Sequence, residues 1–415
     1  MKVVWLVNIM LPEFARALGQ NGLNQGGWLP ALVEALRKFA PQVELTIACQ
    51  GNRIASATIK GVRYVQLIRR NGLGKAVDKL IADVNPDIVH IHGSEGGWSV
   101  LPKETFSGCP VVLSLQGVVS GCYPHYCGNL MPSETSSISN LPNMLLTRYW
   151  ITRRARIWRT RLTCNEQRAL GNIDAVLGRT EWDKAWAEFL APSVKYFHVG
   201  EVLREPFYNG GRSDAAVVPR TIFCGAAFGY PLKGGHWLLR AVSALTRKYP
   251  DVELRIANAQ KVETPKNLLA FMRQGEYHRY LSRLIKRLGI ERNVVLLPSL
   301  TADDVAAELR RAEVFCLPSL CENSPNSLGE AMLMMCPCIA TDVGGIQTIL
   351  KNGEQGVLVP SGDPAILAHE ISRLFEDKTL AKKYAIAGHN DAVLRYSPKT
   401  VVGELLTAYG QVVRR

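Results

Sequence analysis

The chain has 415 residues, 47% apolar and 20% charged, with 49 lysines and arginines against 36 acidic residues for a net charge of +13. That length supplies two or more domains with cores of their own, and that composition excludes a disordered or fibrous chain. No apolar run nears the roughly 20 residues that span a bilayer, and the ten scattered cysteines lack the spacing of a zinc site.

Lys2 and the run VVWLVNIML read as a buried first strand, because one lysine makes a poor signal-peptide start and Pro12-Glu13 interrupts early. Further strands are expected at residues 43–48, 62–67, 87–91, 111–115, 174–177 and 194–199, with helices at 28–39 and 75–84. Gly26-Gly27 follows the first strand, where glycine admits close approach of a ligand; a plain turn needs it equally. Cysteines inside apolar strands, such as Cys49, Cys224 and Cys316, suit a reduced, cytosolic protein. Cys122 and Cys127 share a Gly/Pro/Tyr loop, which leaves a redox or disulfide pairing open.

Seven arginines crowd the next segment: Arg148, Arg153, Arg154, Arg156, Arg159, Arg161 and Arg168. Ile151, Ala155, Trp158 and Leu162 recur among them at helical spacing. Arg153 to Leu162 therefore suits a helix lying on an anionic membrane surface. A solvated basic helix packed on its own domain fits the pattern as well. No nucleic-acid recognition fold accompanies the charge, so no nucleic-acid partner is expected.

Past residue 205, Pro206, Gly210-Gly211 and Pro219 break the periodicity. Strands then recur at 221–224, 252–257, 293–297, 314–317, 338–341 and 356–359, with helices at 234–248, 277–288, 302–311, 364–375 and 400–415. Two successive βαβ series predict an α/β chain of two doubly wound parallel sheets. The first domain is expected over 1–205, with the helix 398–415 packing back on it, and the second over 216–397. Ligands bind such sheets beyond the carboxyl ends of the strands, and two facing domains place the site in the cleft between them.

One segment on that edge stands out: ENSPNSLGEAM, starting at Glu322. Ser324 reads as an N-cap and Pro325 as the first helical residue. The N–H groups of Asn326, Ser327 and Leu328 then form a phosphate-sized pocket between Glu322 in the loop and Glu330 on the helix. Lys233, in YPLKGG after an earlier strand, offers a point charge. Capped strand–loop–helix units and solvated lysines are common, so neither feature alone marks a site.

The wider pattern is more specific. ENSPNSLGE, with glutamates eight apart, is followed by PCIATDVGG at 337–345 and GEQGVLVP at 353–360, while NPDIVHIHG occupies 85–93 and YPLKG 230–234. Together these runs resemble the retaining GT-B glycosyltransferases of family 4, also called glycosyl transferases group 1, and in particular members that build bacterial capsule or exopolysaccharide. The resemblance implies a GT-B fold of two Rossmann-like domains facing across a cleft, and a hexosyltransferase. Its donor would be a UDP- or GDP-sugar and its acceptor a lipid-linked or growing saccharide, at the inner face of the plasma membrane, with no cofactor. It also implies roles by position. Glu330 binds the donor ribose, Glu322 lies by the donor sugar, and Asn323 is a further donor-binding residue. Asn326, Ser327 and Leu328 offer amides to the diphosphate, Lys233 neutralises that group as it leaves, and Gly27 lies beneath it. No Asp-x-Asp metal motif occurs, so protein groups take the metal's place.

Two positions depart from the family. The arginine that commonly precedes the lysine is missing, and Gln116-Gly117 stands where a histidine-glycine pair is usual. Gln116 donates a hydrogen bond but never becomes a cation. These departures motivate one alternative, a catalytically silent nucleotide-sugar-binding protein; another GT-B enzyme, such as a sugar-nucleotide epimerase, is a second.

Overall fold

The computed structural model describes residues 1–20, 27–68, 72–130, 134, 155–209, 211–225, 229–259 and 276–414. The chain divides into two compact units. The first comprises Met1–Gly121, Arg159–Arg204 and Leu394–Arg415; the second comprises Glu205–Val393 with the described residues of Cys122–Trp158.

The first unit is built on an eight-stranded sheet in the order β3-β4-β2-β1-β5-β6-β7-β8. Its strands are β1 (Lys2–Val7), β2 (Glu44–Gly51), β3 (Ala55–Ile59), β4 (Val62–Ile68), β5 (Ile88–His92), β6 (Val111–Ser114), β7 (Ala175–Gly178) and β8 (Lys195–His198). All neighbours run parallel except β3, which pairs antiparallel with β4. The run VVWLV of β1 is buried on both faces, as a central parallel strand requires. β3 was not expected from the sequence. It is an edge strand of small residues joined to β4 by Lys60-Gly61, both at positive φ (48° and 81°), as a two-residue hairpin turn demands.

The helix Glu181–Leu190 is also additional to the expected elements, and Thr180 and Asp183 form a reciprocal capping box at its start. The final helix, Pro398–Val413, packs on helix Trp28–Phe39. It delivers Tyr409 to the centre of the core, where Trp5 Nε1 donates to its hydroxyl at 3.0 Å and His90 Nδ1 lies 2.7 Å away.

The second unit carries six parallel strands in the order β11-β10-β9-β12-β13-β14. They are β9 (Thr221–Cys224), β10 (Glu253–Ile256), β11 (Val294–Leu296), β12 (Val314–Leu317), β13 (Cys338–Thr341) and β14 (Val357–Val359). This is a doubly wound order whose direction reverses between β9 and β12, so the loops after those two strands diverge and leave a crevice at their carboxyl ends.

The basic segment is partly described. Ala155, Trp158 and Leu162 are half-buried, whereas Arg156, Ile157, Arg159 and Arg161 are exposed. Trp158–Leu162 is a widened π turn running into helix Thr163–Gly171. Arg148, Tyr149, Trp150, Ile151, Arg153 and Arg154 lie outside the described residues. Among the described residues no helix is long and apolar enough to cross a membrane.

Candidate functional site

In the second unit Lys233 and Glu322 come from the two loops flanking the reversal point. Pro318 ends β12, since it has no N–H to continue a ladder. On the other side, the single turn Pro231–Lys233 closes on Gly234, whose φ is +71°. A Cβ there would stand 1.8 Å from the Pro318 carbonyl oxygen, so only glycine lets the loops meet. Leu320 N–H then donates to the Leu232 carbonyl at 2.8 Å. The side chains follow: Lys233 Nζ donates to Glu322 Oε1 at 2.6 Å, and Ser319 Oγ to the same oxygen at 2.7 Å. Burial alone would lower the Lys233 ammonium, but the charge and hydrogen bond of Glu322 hold it above the ordinary lysine value.

The main chain of Glu322 is gripped from behind. Gly345 N–H donates to its carbonyl at 2.9 Å, and a Cβ on Gly344, at φ +54°, would lie 2.0 Å from that same oxygen. The VGG run of the sequence is thus the brace of the glutamate loop.

The helix beyond begins one residue later than the sequence suggested. It spans Asn326–Leu333 with Pro325, not Ser324, at the cap, and no side chain caps it. Proline offers no side-chain acceptor, and its extended backbone (φ −73°, ψ 112°) instead presents its carbonyl to Leu328 N–H at 3.0 Å. Leu328 therefore has no amide to give a ligand. The amides of Asn326 and Ser327 have no acceptor among the described residues, and Asn326 Oδ1 is buried without a partner. Asn323 and Glu330 are buried, at 4% and 5% exposure, with Glu330 in the second turn of this helix. Gly225 lets β9 end close to the helix start, since its Cβ would lie 3.3 Å from Ser327 Cβ.

Gln116 and Gly27 belong to the first unit. Gly27 precedes helix Trp28–Phe39 in ordinary right-handed angles (φ −56°, ψ −17°). Its lack of a Cβ admits the stem of Arg204, whose Cδ would stand 2.7 Å away. Gln116 follows β6 and lines a cavity of about 20 Å³ with His92, Ser114, Arg179 and Glu201. That space holds about one water molecule or hydroxyl group. Both ring nitrogens of His92 are buried without a partner among the described residues. Burial, with His90 and Arg179 nearby, keeps His92 neutral by lowering its pKa well below the usual value. His90 is satisfied by Tyr409 and by Ser114 Oγ at 2.7 Å.

Sequence reasoning missed Arg179, Glu201 and Ser319. An arginine or serine just past an apolar strand carries no pattern that separates a buried partner from a solvated one. It also left a pairing of Cys122 with Cys127 open, whereas no described cysteine is in a disulfide and Cys122 Sγ lies 3.3 Å from Cys321 Sγ. The Cys122 thiol is raised far above its usual range by that hydrogen bond and by burial. Among the described residues no group of three His, Cys, Asp or Glu side chains is placed to hold a metal.

Residues 218–377 match the family described as glycosyl transferases group 1. D-inositol 3-phosphate glycosyltransferase of Salinispora arenicola is 28% identical over 269 residues, covering 61% of this chain and 55% of that protein. Phosphatidyl-myo-inositol mannosyltransferase of Mycobacterium leprae is 27% identical over 194 residues, covering 46% and 47%. The chain thus spans about half the length of these curated relatives. Among solved structures, sucrose-phosphate synthase from Thermosynechococcus elongatus superposes with a TM-score of 0.70 at 15% identity, over 99% of this chain and 98% of that one. Anabaena HepE in complex with UDP and glucose gives 0.66 at 16% identity, over 99% and 100%. At such identities the likeness is one of fold, and it covers both units. The chain carries a glycosyl transferases group 1 domain in its second unit and has the GT-B fold.

Proposed function

We propose that this protein is a retaining, metal-independent glycosyltransferase that moves a hexose from a UDP- or GDP-sugar to a lipid-linked or growing saccharide in bacterial surface polysaccharide synthesis. The observation that carries the reading is the Lys233–Glu322 pair, at 2.6 Å, on the same sheet edge as the open amides of Asn326 and Ser327. A departing nucleoside diphosphate develops negative charge, and a fixed cation with open amides stabilises it without a metal. Glu322 holds the lysine in this structure. A diphosphate competes for that ammonium and releases Glu322 to the hydroxyls of the donor sugar. Glu330 takes the ribose hydroxyls, and Asn323 lies beside the sugar. Retention follows from a front-side reaction in which the leaving phosphate takes the acceptor proton as the new bond forms. The names of the curated relatives, sugar transferases to inositol phosphate and phosphatidyl-inositol, support the coarser part of this reading. The exposed arginines at 156, 159 and 161 suit work at the inner membrane face.

The test is turnover of radiolabelled UDP- and GDP-sugars with membrane acceptors. Label should pass to the acceptor with one nucleotide, and Glu330→Ala should weaken that nucleotide's binding about tenfold or more, the loss of a buried hydrogen-bonded contact. Binding with no transfer across the panel supports the silent binding protein, which the Gln116 departure motivates. Full affinity in Glu330→Ala removes the ribose assignment.

A further inference from the structure

Gln116 leaves β6 at its carboxyl end, where the last carbonyl groups of a strand lose their ladder partners. One side chain takes two of them. Arg179, in the loop after the neighbouring strand β7, donates through Nη2 to the Leu115 carbonyl and, at 3.2 Å, to the Gln116 carbonyl. Its other terminal nitrogen meets Glu201 Oε2 at 2.5 Å. The backbone beneath it is fixed too, since Arg179 N–H donates to Asp183 Oδ2 at 2.9 Å, and Asp183 caps the following helix. Arg179 and Glu201 are both more than nine-tenths buried.

A buried ion pair is a poor device for stability alone, because desolvation offsets much of the attraction and an apolar pair of like volume serves as well. A planar guanidinium held by a carboxylate does something that an apolar pair does not: it fixes the direction of the carbonyl groups it bonds. Holding two successive carbonyl groups sets the peptide planes on both sides of Gln116, and so the direction in which its side chain leaves. Gln116 then borders the same small cavity as His92, whose ring nitrogens have no hydrogen-bond partner among the described residues.

We infer that Arg179, braced by Glu201, is the positioning residue for Gln116 in the transfer reaction, which rests on the function proposed above. Neither residue touches substrate; both act through the Leu115–Gln116 main chain. The pair keeps in place a neutral amide where a flexible loop would otherwise let it wander.

Two variants test this, Arg179→Lys and the milder Glu201→Gln, each compared with the wild-type full-length protein. Amide hydrogen exchange over residues 115–118 should rise about tenfold in Arg179→Lys, with β5 and β7 unchanged. With the preferred donor, kcat should fall about tenfold to a hundredfold, the cost of a misplaced group, while donor KM stays constant. In a Gln116→Ala background Arg179→Lys should cost nothing further, because the group it positions is gone. Unchanged exchange at 115–118, or losses that multiply in the double variant, overturn the inference. If the wild-type protein transfers no sugar, the functional reading falls, and the exchange measurement still decides whether Arg179 orders the Gln116 loop.

Discussion

His90 shows how one side chain ties the first unit to pH. Its ring is buried between Tyr409 and Ser114, and burial lowers its pKa from 6.5 to about 3. An unfolded chain binds a proton at this ring below pH 6.5, and the folded chain does not until about pH 3. Stability is therefore lost as pH falls through that window, by about 1.4 kcal/mol per unit. Between pH 7 and pH 5 the wild-type protein should lose about 2 kcal/mol that a His90→Gln variant keeps, read from urea unfolding at the two pH values. An equal drop in both proteins would refute the assignment. Lys233 gives the opposite lesson, since its partner Glu322 keeps a mostly buried amine charged where burial alone would favour the neutral form.

Among the elements, the basic stretch ahead of helix Thr163–Gly171 invites a direct measurement. Arg156, Arg159 and Arg161 are exposed around Ile157, while Trp158 and Leu162 turn partly inward. Each arginine near an anionic surface contributes about 1 kcal/mol, so replacing all three by glutamine should weaken binding to vesicles rich in anionic lipid about a hundredfold. Flotation of the variant with the vesicles as efficient as that of the parent would remove the membrane role. The same elements show what was legible. Parallel strands buried on both faces stand out as apolar runs, and β1, β9, β12 and β13 are readable for that reason. β3 is built of Ala-Ser-Ala-Thr-Ile at an edge and carries no such signal, although its Lys60-Gly61 turn was there to be read. The cap of helix Glu181–Leu190 is legible in Thr180-Glu-Trp-Asp183, where Thr and Asp stand three apart. Glu322 and Lys233 were legible because their motifs set them at strand ends. Arg179 was not, because its partners Leu115 and Glu201 lie 64 and 22 residues away and only the sheet order brings them together.

At the scale of the whole molecule, chain continuity and compact unit do not coincide. The first unit is assembled from three stretches, the last of them Leu394–Arg415. Tyr409 binds it together by accepting from Trp5 Nε1 and meeting His90 Nδ1. Tyr409→Phe leaves both partners buried and unsatisfied and should cost about 2–4 kcal/mol of stability. Limited proteolysis offers the check: cuts should appear first among strands β1 to β8, while the second unit stays resistant. A variant as resistant as the parent in the first unit would show that packing by the rest of helix Pro398–Val413 suffices. The hydroxyl also sets an order of events during synthesis. Trp5 leaves the ribosome 404 residues ahead of Tyr409, a wait of roughly 20 to 80 s at about 5–20 residues per second. Through that interval the second unit's described residues are made in full, while the first unit's central strands lack the helix that closes them. A chaperone that holds nascent chains should therefore find its binding surface on the strands of the first unit, and should be released once helix Pro398–Val413 has been made.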